Sequence, residues 1–158
     1  MSTTIRLAVN GDEELLASLN RFVHELHLLR RPDQFRPTLV SELVDWYRSL
    51  LEKPTTRIWI AEEAGSAVGY VVAIVYDKPE TPFSGPRRWW EIDQIAVDPT
   101  SRKKGIARTL VRQAIAESRV AGIRDVEVAC WSFNEEAHEV FRRLGFVPKT
   151  VRFELLPT

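Results

Sequence analysis

The chain has 158 residues, enough for one domain that buries about two thirds of its unfolded surface without disulfides or metals as staples. Its 44% hydrophobic and 28% charged residues are ordinary globular values and exclude a disordered or membrane-embedded chain. Twenty-two basic and twenty-two acidic residues cancel, so no whole-molecule field favours nucleic acid or an anionic membrane, and the single cysteine, Cys130, rules out an internal disulfide.

Taken in chain order, residues 5–9 alternate and predict a first strand, after which Asp12 opens a segment with Leu15, Leu16, Leu19, Phe22, Val23 and Leu26 at helical spacing. Pro32 and Pro37 bracket a break. Thr38 stands as the cap of a second helix carrying Leu43, Val44, Tyr47, Leu50 and Leu51, which Pro54 ends. Residues 57–62 and 68–76 are rich in β-branched and aromatic side chains and, joined through Gly65-Ser66, predict an antiparallel hairpin. Residues 77–88 contain Pro79, Pro82, Gly85 and Pro86 and predict a long loop, a candidate lid. A strand follows over 89–97. Ile106, Ala107, Leu110, Val111, Ala114 and Ile115 then predict a helix ending before Gly122, residues 126–131 a strand, 134–144 a helix stopped by Gly145, and 151–155 a last strand. Hairpins mixed with two strand-helix crossovers imply an α/β (α+β) fold, a single mixed twisted sheet with helices on both faces, in one domain over residues 1–158.

The segment from Asp98 to Arg108, DPTSRKKGIAR, crowds Arg102, Lys103, Lys104 and Arg108 around a helix entrance. A helix N-terminus already carries about half a positive charge, so cations there are unfavourable unless an anion sits among them. The next helix is the internal control, because it begins Asn134-Glu135-Glu136 with a cap and two acids. Gly105 permits close approach and small Ala107 leaves room beside the amides, so the turn suits a phosphate or pyrophosphate; a solvated basic turn is the alternative. Neither G-x-G-x-x-G nor the Walker pattern is present.

At these residues the chain resembles the GNAT superfamily of acyl-coenzyme A N-acyltransferases. The family's [RQ]-x-x-G-x-[GA] loop stands as Arg102, Lys103, Lys104, Gly105, Ile106 and Ala107, after a strand ending Ile95-Ala96-Val97-Asp98-Pro99. The later N-x-x-A…G-F pattern stands as Asn134, Ala137, Gly145 and Phe146, and Gly69 fits the upstream hairpin. The resemblance implies a mostly antiparallel sheet of six to seven strands, acetyl-CoA as cosubstrate, and no metal. It also implies residue roles: backbone of Ile95, Ala96 and Val97 against the pantetheine arm, Arg102 to Arg108 around the pyrophosphate, and Asn134 and Phe141 near the thioester end. The arm would lie where the strand ending at Val97 diverges from the strand ending at Trp131.

An amine with a pKa near 10 must lose a proton before it attacks a thioester. Glu91 and Asp93 lie two apart on one strand and share a face within an otherwise apolar and aromatic segment. In several family members a glutamate six residues before the strand-ending aliphatic is the general base; carried over, this implies Glu91 as base, with Asp93 attracting the ammonium form. Pairing of both acids with Arg87, Arg88 or Arg124 is the alternative. Where the family often has a tyrosine to protonate the departing thiolate, this chain has Phe141. That role is unfilled or moves to Tyr47, Tyr70, Tyr76 or water, and a coenzyme A-binding sensor without turnover stays open.

Trp89, Trp90 and Trp131, with Phe83, are expected to form an aromatic wall beside the acids, Trp131 touching substrate. Cys130 is expected as a buried small apolar residue and His138 as solvent-exposed; His24 and His27 lack a third ligand for zinc and are expected to face substrate. The acceptor is expected to be a small-molecule or peptide amine, with no nucleic acid and no membrane as partner, and the exposed final strand suggests a homodimer. With no signal-like N-terminus and no apolar run near 20 residues, the cytoplasm is the expected compartment.

Overall fold

The structure, a computed structural model, describes residues 2–158. Alternating β-branched and aromatic residues place five strands, β1 (Thr3–Leu7), β2 (Thr56–Glu63), β3 (Ser66–Lys78), β4 (Arg87–Val97) and β5 (Asp125–Val128). Helical periodicity places α1 (Glu13–Arg30), α2 (Val40–Glu52), α3 (Ile106–Val120) and α4 (Glu135–Arg143). The strands lie in chain order in one sheet, antiparallel from β1 to β4 and parallel between β4 and β5.

The mixed, mostly antiparallel sheet thus matches the sequence expectation, with five strands rather than six to seven. The missing one is the last. Residues 151–155 alternate as a strand should, but a strand exists only where a neighbour supplies the ladder, and these residues bond to none.

Alternation along β3 separates two cores. Tyr70 and Val72 face Leu16, Leu19, Tyr47 and Leu50 of α1 and α2. Val71 and Ala73 face Ile106, Leu110 and Val111 of α3, and Phe141 of α4 joins that layer. Full burial of a side chain such as Leu16 or Leu110 contributes about 1.5–3 kcal/mol, so both helix layers are firmly anchored.

The feature that positions the site is a bulge. Val72 of β3 faces Gln94 while Ala73 faces Ile92, which leaves Asp93 as the extra residue on β4. The parallel ladder with β5 runs from Trp89 opposite Asp125 to Ile92 opposite Val128 and stops there. The bulge therefore coincides with the point where β4 leaves β5, and this is why β5 ends at Val128 rather than at Trp131.

Two further expectations are corrected. The loop predicted over 77–88 is shorter, because β3 and β4 stay paired out to Lys78 opposite Arg87, leaving residues 79–86 outside the strands, with Thr81 and Ser84 bridging across them. Thr38 does not cap α2: Leu39 is the N-cap, its N–H donates to Glu42 Oε2 at 2.9 Å, and the Thr38 hydroxyl turns toward the Arg36 carbonyl and His24. Among the described residues no helix is long and apolar enough to cross a membrane.

Candidate functional site

Where β4 and β5 part, a cleft of about 570 Å³ opens between the parted strands and helices α1, α2 and α4. Ile95 and Asp93 line it from β4, Trp131 from beyond β5, and Asn134 and Phe141 from the α4 side. The close approach of β3 to β4 beside it depends on Gly69, where an added Cβ would sit 2.8 Å from the Ala96 carbonyl oxygen. Ala96 is buried toward α1, and Ile95 and Val97 pack on the opposite layer, so the end of β4 is held from both sides.

The turn after β4 is built by local chemistry. Asp98 accepts the N–H and hydroxyl of Thr100 at 2.8 and 2.7 Å, starting a short 3-10 turn over Pro99–Ser101. Lys103 and Gly105 then take left-handed backbone, at φ 63° and 80°. Alternation of handedness turns successive N–H groups toward one side. Among the described residues none of the N–H groups of Lys103, Lys104, Gly105, Ile106, Ala107 and Arg108 meets an acceptor within the chain; the first that does is Thr109, bonded to Gly105 at 3.0 Å. Six consecutive free amides at the start of α3 form an anion cradle.

The cations around this cradle divide. Arg108 folds back over the turn, its guanidinium 3.4 Å from the position a Cβ on Gly105 would take. Lys103 is exposed and has no ion-pair partner among the described residues. Lys104 is committed elsewhere, with its Nζ 3.1 Å from Glu63 Oε2, a carboxylate only 9% exposed. Arg102 lies against the end of β4, where its Nε donates to the Val97 carbonyl at 3.3 Å. That carbonyl is one that the family resemblance implied for the pantetheine arm.

Glu91 and Asp93 both lie on the α1/α2 face of β4. Glu91 stands opposite Ile74, is half-buried, and accepts the Trp89 indole N–H at 3.0 Å without reaching the cleft wall. Asp93 is on the wall. Among the described residues neither acid has an arginine: Arg87 pairs with Asp125 and Glu127, and Arg88 with Asp77. Although the Asp93 carboxylate reaches the cleft, the protein crowded around it raises its pKa, and the negative charge of Glu91 raises it further against the opposing effect of Gln94.

Behind Asp93 runs a hydrogen-bond chain that the sequence did not reveal. Asn20 donates to the Tyr70 hydroxyl at 2.9 Å, the Tyr70 and Tyr47 hydroxyls are 2.8 Å apart, and Tyr47 donates to Gln94 Oε1 at 2.6 Å. Burial pushes the Tyr70 phenol up to about 12 and raises Tyr47 too, so both stay neutral donors. Phe141, 5% exposed, lines the cleft with no proton to give.

The aromatic wall keeps Trp131 as expected but draws its other members from elsewhere. Trp131 stacks on Phe133 with centroids 5.9 Å apart and meets Phe35 edge-on at 5.6 Å, while His27 stacks on Phe35 at 4.9 Å. Trp90 faces the other way and stacks on Trp59 in the α3 layer; Trp89 stacks on Tyr76; and Phe83, almost fully exposed, sits at the hairpin tip. The strand's alternation sets Trp90 on the face opposite Glu91. Phe35 lies between Pro32 and Pro37, in a connection whose path no periodicity predicts. His24 and His27 line the cleft as expected, and burial holds the His27 pKa down.

Two side chains differ from expectation. Cys130 is exposed and lines the cleft, because β5 ends before it and no strand alternation buries it; its surroundings push its thiol pKa up. His138 is half-buried, with Nε2 3.0 Å from the Trp131 carbonyl oxygen. Asn134 has two contacts to make: its Oδ1 accepts the Ala137 N–H at 3.2 Å as the cap of α4, and the residue also lines the cleft.

Residues 20–146 match the family model of the acetyltransferase (GNAT) family. The chain is 33% identical over 107 residues to an uncharacterised N-acetyltransferase of Methanocaldococcus jannaschii, an alignment covering 67% of this chain and 46% of that protein. The chain spans about half the length of the curated relatives it matches. A tetramutant of a Bacillus halodurans protein superposes with a TM-score of 0.91 at 24% identity, covering 98% of this chain and 99% of the other. The aminoglycoside N-acetyltransferase AAC(6')-Iy, in complex with the bisubstrate analogue CoA-S-monomethyl-acetylneamine, superposes with a TM-score of 0.78 at 17% identity over the whole of both chains. At these identities the structural likenesses speak for the fold.

Proposed function

The chain belongs to the GNAT family of acetyltransferases, and we propose that it moves an acetyl group from acetyl-CoA to a primary amine by direct attack in a ternary complex. The observation that carries this is the cradle of six free amides from Lys103 to Arg108, opening beside the gap where β4 leaves β5. An isolated phosphate needs few of those donors, whereas a diphosphate uses the whole run. Arg108 and Lys103 add charge, and Lys104 contributes its amide while its ammonium braces the turn against Glu63.

From the cradle, the pantetheine arm runs along Ile95, Ala96 and Val97 and brings the thioester to the cleft between Asn134 and Phe141. The amine enters between α1, α2 and Trp131. Trp131 offers a ring face to a cation and Asp93 offers charge. Asp93 is the carboxylate on the wall, so it takes the amine proton, directly or through a water. Glu91, fixed by the Trp89 indole, sustains the raised pKa of Asp93. The base role inferred for Glu91 from the family pattern thereby passes to its neighbour.

In the step itself the amine nitrogen bonds the carbonyl carbon, the carbon-sulfur bond breaks, and sulfur leaves as thiolate. Tyr47 and Tyr70 are engaged with each other and Gln94, so the second proton, which the nitrogen sheds as the amide forms, reaches the thiolate through water. A thiol of pKa near 8.5 leaves acceptably without a dedicated acid. Most of the acceleration comes from holding amine and thioester together, an effect worth up to about 7–11 kcal/mol in favourable cases. The bisubstrate complex of AAC(6')-Iy, a structural neighbour, supports direct transfer. A thiol-release assay over a broad panel of small amines and peptides tests the proposal. Amine-dependent release that falls in Asp93→Asn while acetyl-CoA binding persists is the expected result. Binding without release for any amine would leave a coenzyme A-binding module.

A further inference from the structure

Residues 31–39 join α1 to α2, and Pro32 and Pro37 keep them from continuing either helix. The segment is nonetheless fixed. The Phe35 N–H donates to the Arg31 carbonyl at 3.0 Å, His24 Nε2 lies 2.9 Å from the Arg36 carbonyl oxygen, and the Arg36 guanidinium pairs with Glu42 of α2 at 2.9 Å. These ties set the Phe35 ring on the cleft wall, where it meets His27 of α1 and Trp131 from beyond β5.

Phe133 completes a closed circuit of half-buried rings. His27 to Phe35, Phe35 to Trp131, Trp131 to Phe133 and Phe133 to His27 measure 4.9, 5.6, 5.9 and 5.9 Å between centroids, alternately stacked and edge-on. Both arrangements are favourable, and ring pairs attract at spacings of about 4.5–7 Å. Arg31, itself paired with Asp33 at 2.8 Å, lies over the Trp131 ring at 4.9 Å and fixes the indole. Such a cluster is ordered before anything binds, so a further ring joins it with few side chains left to immobilise.

The charges on the wall are equally selective. Arg36 and Glu42 neutralise each other, and burial keeps the His27 imidazole neutral at pH 7. Among the described residues this leaves Asp93 as the one cleft carboxylate without an ion pair, and no cleft arginine or lysine without one. Asn20, Tyr47 and Gln94 are bonded together through Tyr70, and Thr38 bonds the Arg36 carbonyl, so these polar side chains are already engaged within the protein.

We propose that the acceptor is an arylalkylamine, one ammonium on a short tether to a flat aromatic ring, and that Phe35 determines this choice. The inference rests on the acetyl-transfer reading and names the acceptor for it. One unpaired carboxylate matches one ammonium, whereas a polyamine or an aminated sugar brings further cations or hydroxyls that lose water without gaining partners. An amino acid brings a carboxylate that meets no free arginine or lysine on this wall. The cleft volume of about 570 Å³ agrees, because it falls within the ~300–1,000 Å³ of small-molecule sites and the thioester end of the donor takes part of it.

Thiol release by the native protein with acetyl-CoA, compared across 2-phenylethylamine, 2-cyclohexylethylamine, spermidine, neamine and phenylalanine, tests the choice. The phenyl compound should exceed its saturated counterpart about 10-fold in kcat/KM, from ring-ring contacts alone, and the other three about 100-fold. Release that favours spermidine, neamine or phenylalanine, or that ignores whether the ring is aromatic, overturns the proposal and leaves acetyl transfer standing. Release with no amine sinks acetyl transfer itself. Ring recognition is then decided by saturation-transfer NMR on the protein filled with coenzyme A, where no signal from 2-phenylethylamine, or an equal one from the cyclohexyl compound, overturns it. Phe35→Leu should bring the phenyl-to-cyclohexyl ratio within about threefold, through KM rather than kcat, and His27→Leu should do likewise by breaking the circuit from α1. An undiminished ratio in both folded variants removes Phe35 as the determinant.

Discussion

Substituting alanine at Gly105 separates the cost of a strained turn from the cost of a damaged cradle. Gly105 has φ 80°, a conformation that costs a residue with a Cβ about 1–2 kcal/mol. The new Cβ meets only the tip of Arg108, at 3.4 and 3.9 Å, so no further steric cost to the fold arises. The thermal midpoint should therefore fall by about 2–8 °C, at roughly 2–4 °C per kcal/mol for a chain of this size. The turn, however, relaxes that strain by shifting its own backbone, and the neighbouring amides of the cradle move with it. Losing one charge-assisted hydrogen bond to a bound phosphate is worth about 1.5–3 kcal/mol, or roughly 10- to 100-fold in acetyl-CoA affinity. Gly122 at the other end of α3 is the control, with φ 74° and nothing within 4 Å of its Cβ position. Gly122→Ala should show the same stability loss and no change in affinity. Calorimetric titration of acetyl-CoA into both variants decides the matter: equal affinities in the two, with equal loss of stability, would refute the cradle.

Asp93→Asn should lower kcat/KM about 100-fold while leaving acetyl-CoA binding intact, and should raise the thermal midpoint at neutral pH by removing a charge that the folded state disfavours. Because the raised pKa of Asp93 sets the acidic limb of the rate profile, activity falls as pH drops through that value; Glu91→Gln removes the charge that helps raise it and should move the limb to lower pH. Lys104→Ala strands Glu63 with only the Thr3 hydroxyl and should cost about 1–2 kcal/mol in denaturant unfolding, the exposed side of the lysine discounting the value, while reducing acetyl-CoA affinity less than Arg108→Ala does. Tyr47→Phe should cost about 1 kcal/mol of stability, because Tyr70, 3.2 Å from Gln94 Oε1, can redirect its proton there; kcat should stay within about threefold, and a much larger loss would make Tyr47 the acid.

The features legible in the sequence are those that local chemistry determines. The misplaced cations of residues 102–108, set against the well-capped start at Asn134, pointed to the cradle because a helix dipole makes one arrangement favourable and the other not. The fate of each cation was not legible, since Lys104 finds Glu63 only through the tertiary packing of β2 against the turn. Glu91 and Asp93 shared a face as strand periodicity requires, but the bulge that selects Asp93 for the cleft wall is a slip in register against β3, which single-strand spacing does not carry. Trp90 was misassigned for a simpler reason: alternation places it opposite Glu91, and apolar character alone did not say which helix layer it would meet. The last strand failed as a prediction because alternation along residues 151–155 does not say whether a neighbouring strand comes within bonding distance, and the backbone there bonds to none.

The proposed activity needs the amides from Lys103 to Arg108 to receive a diphosphate. Titrating acetyl-CoA and S-acetylpantetheine, which share the thioester and arm but differ in that group, into the native protein measures its contribution directly. Acetyl-CoA bound about 100-fold or more tightly than S-acetylpantetheine is the predicted result; equal affinities, or no binding of either, would contradict it.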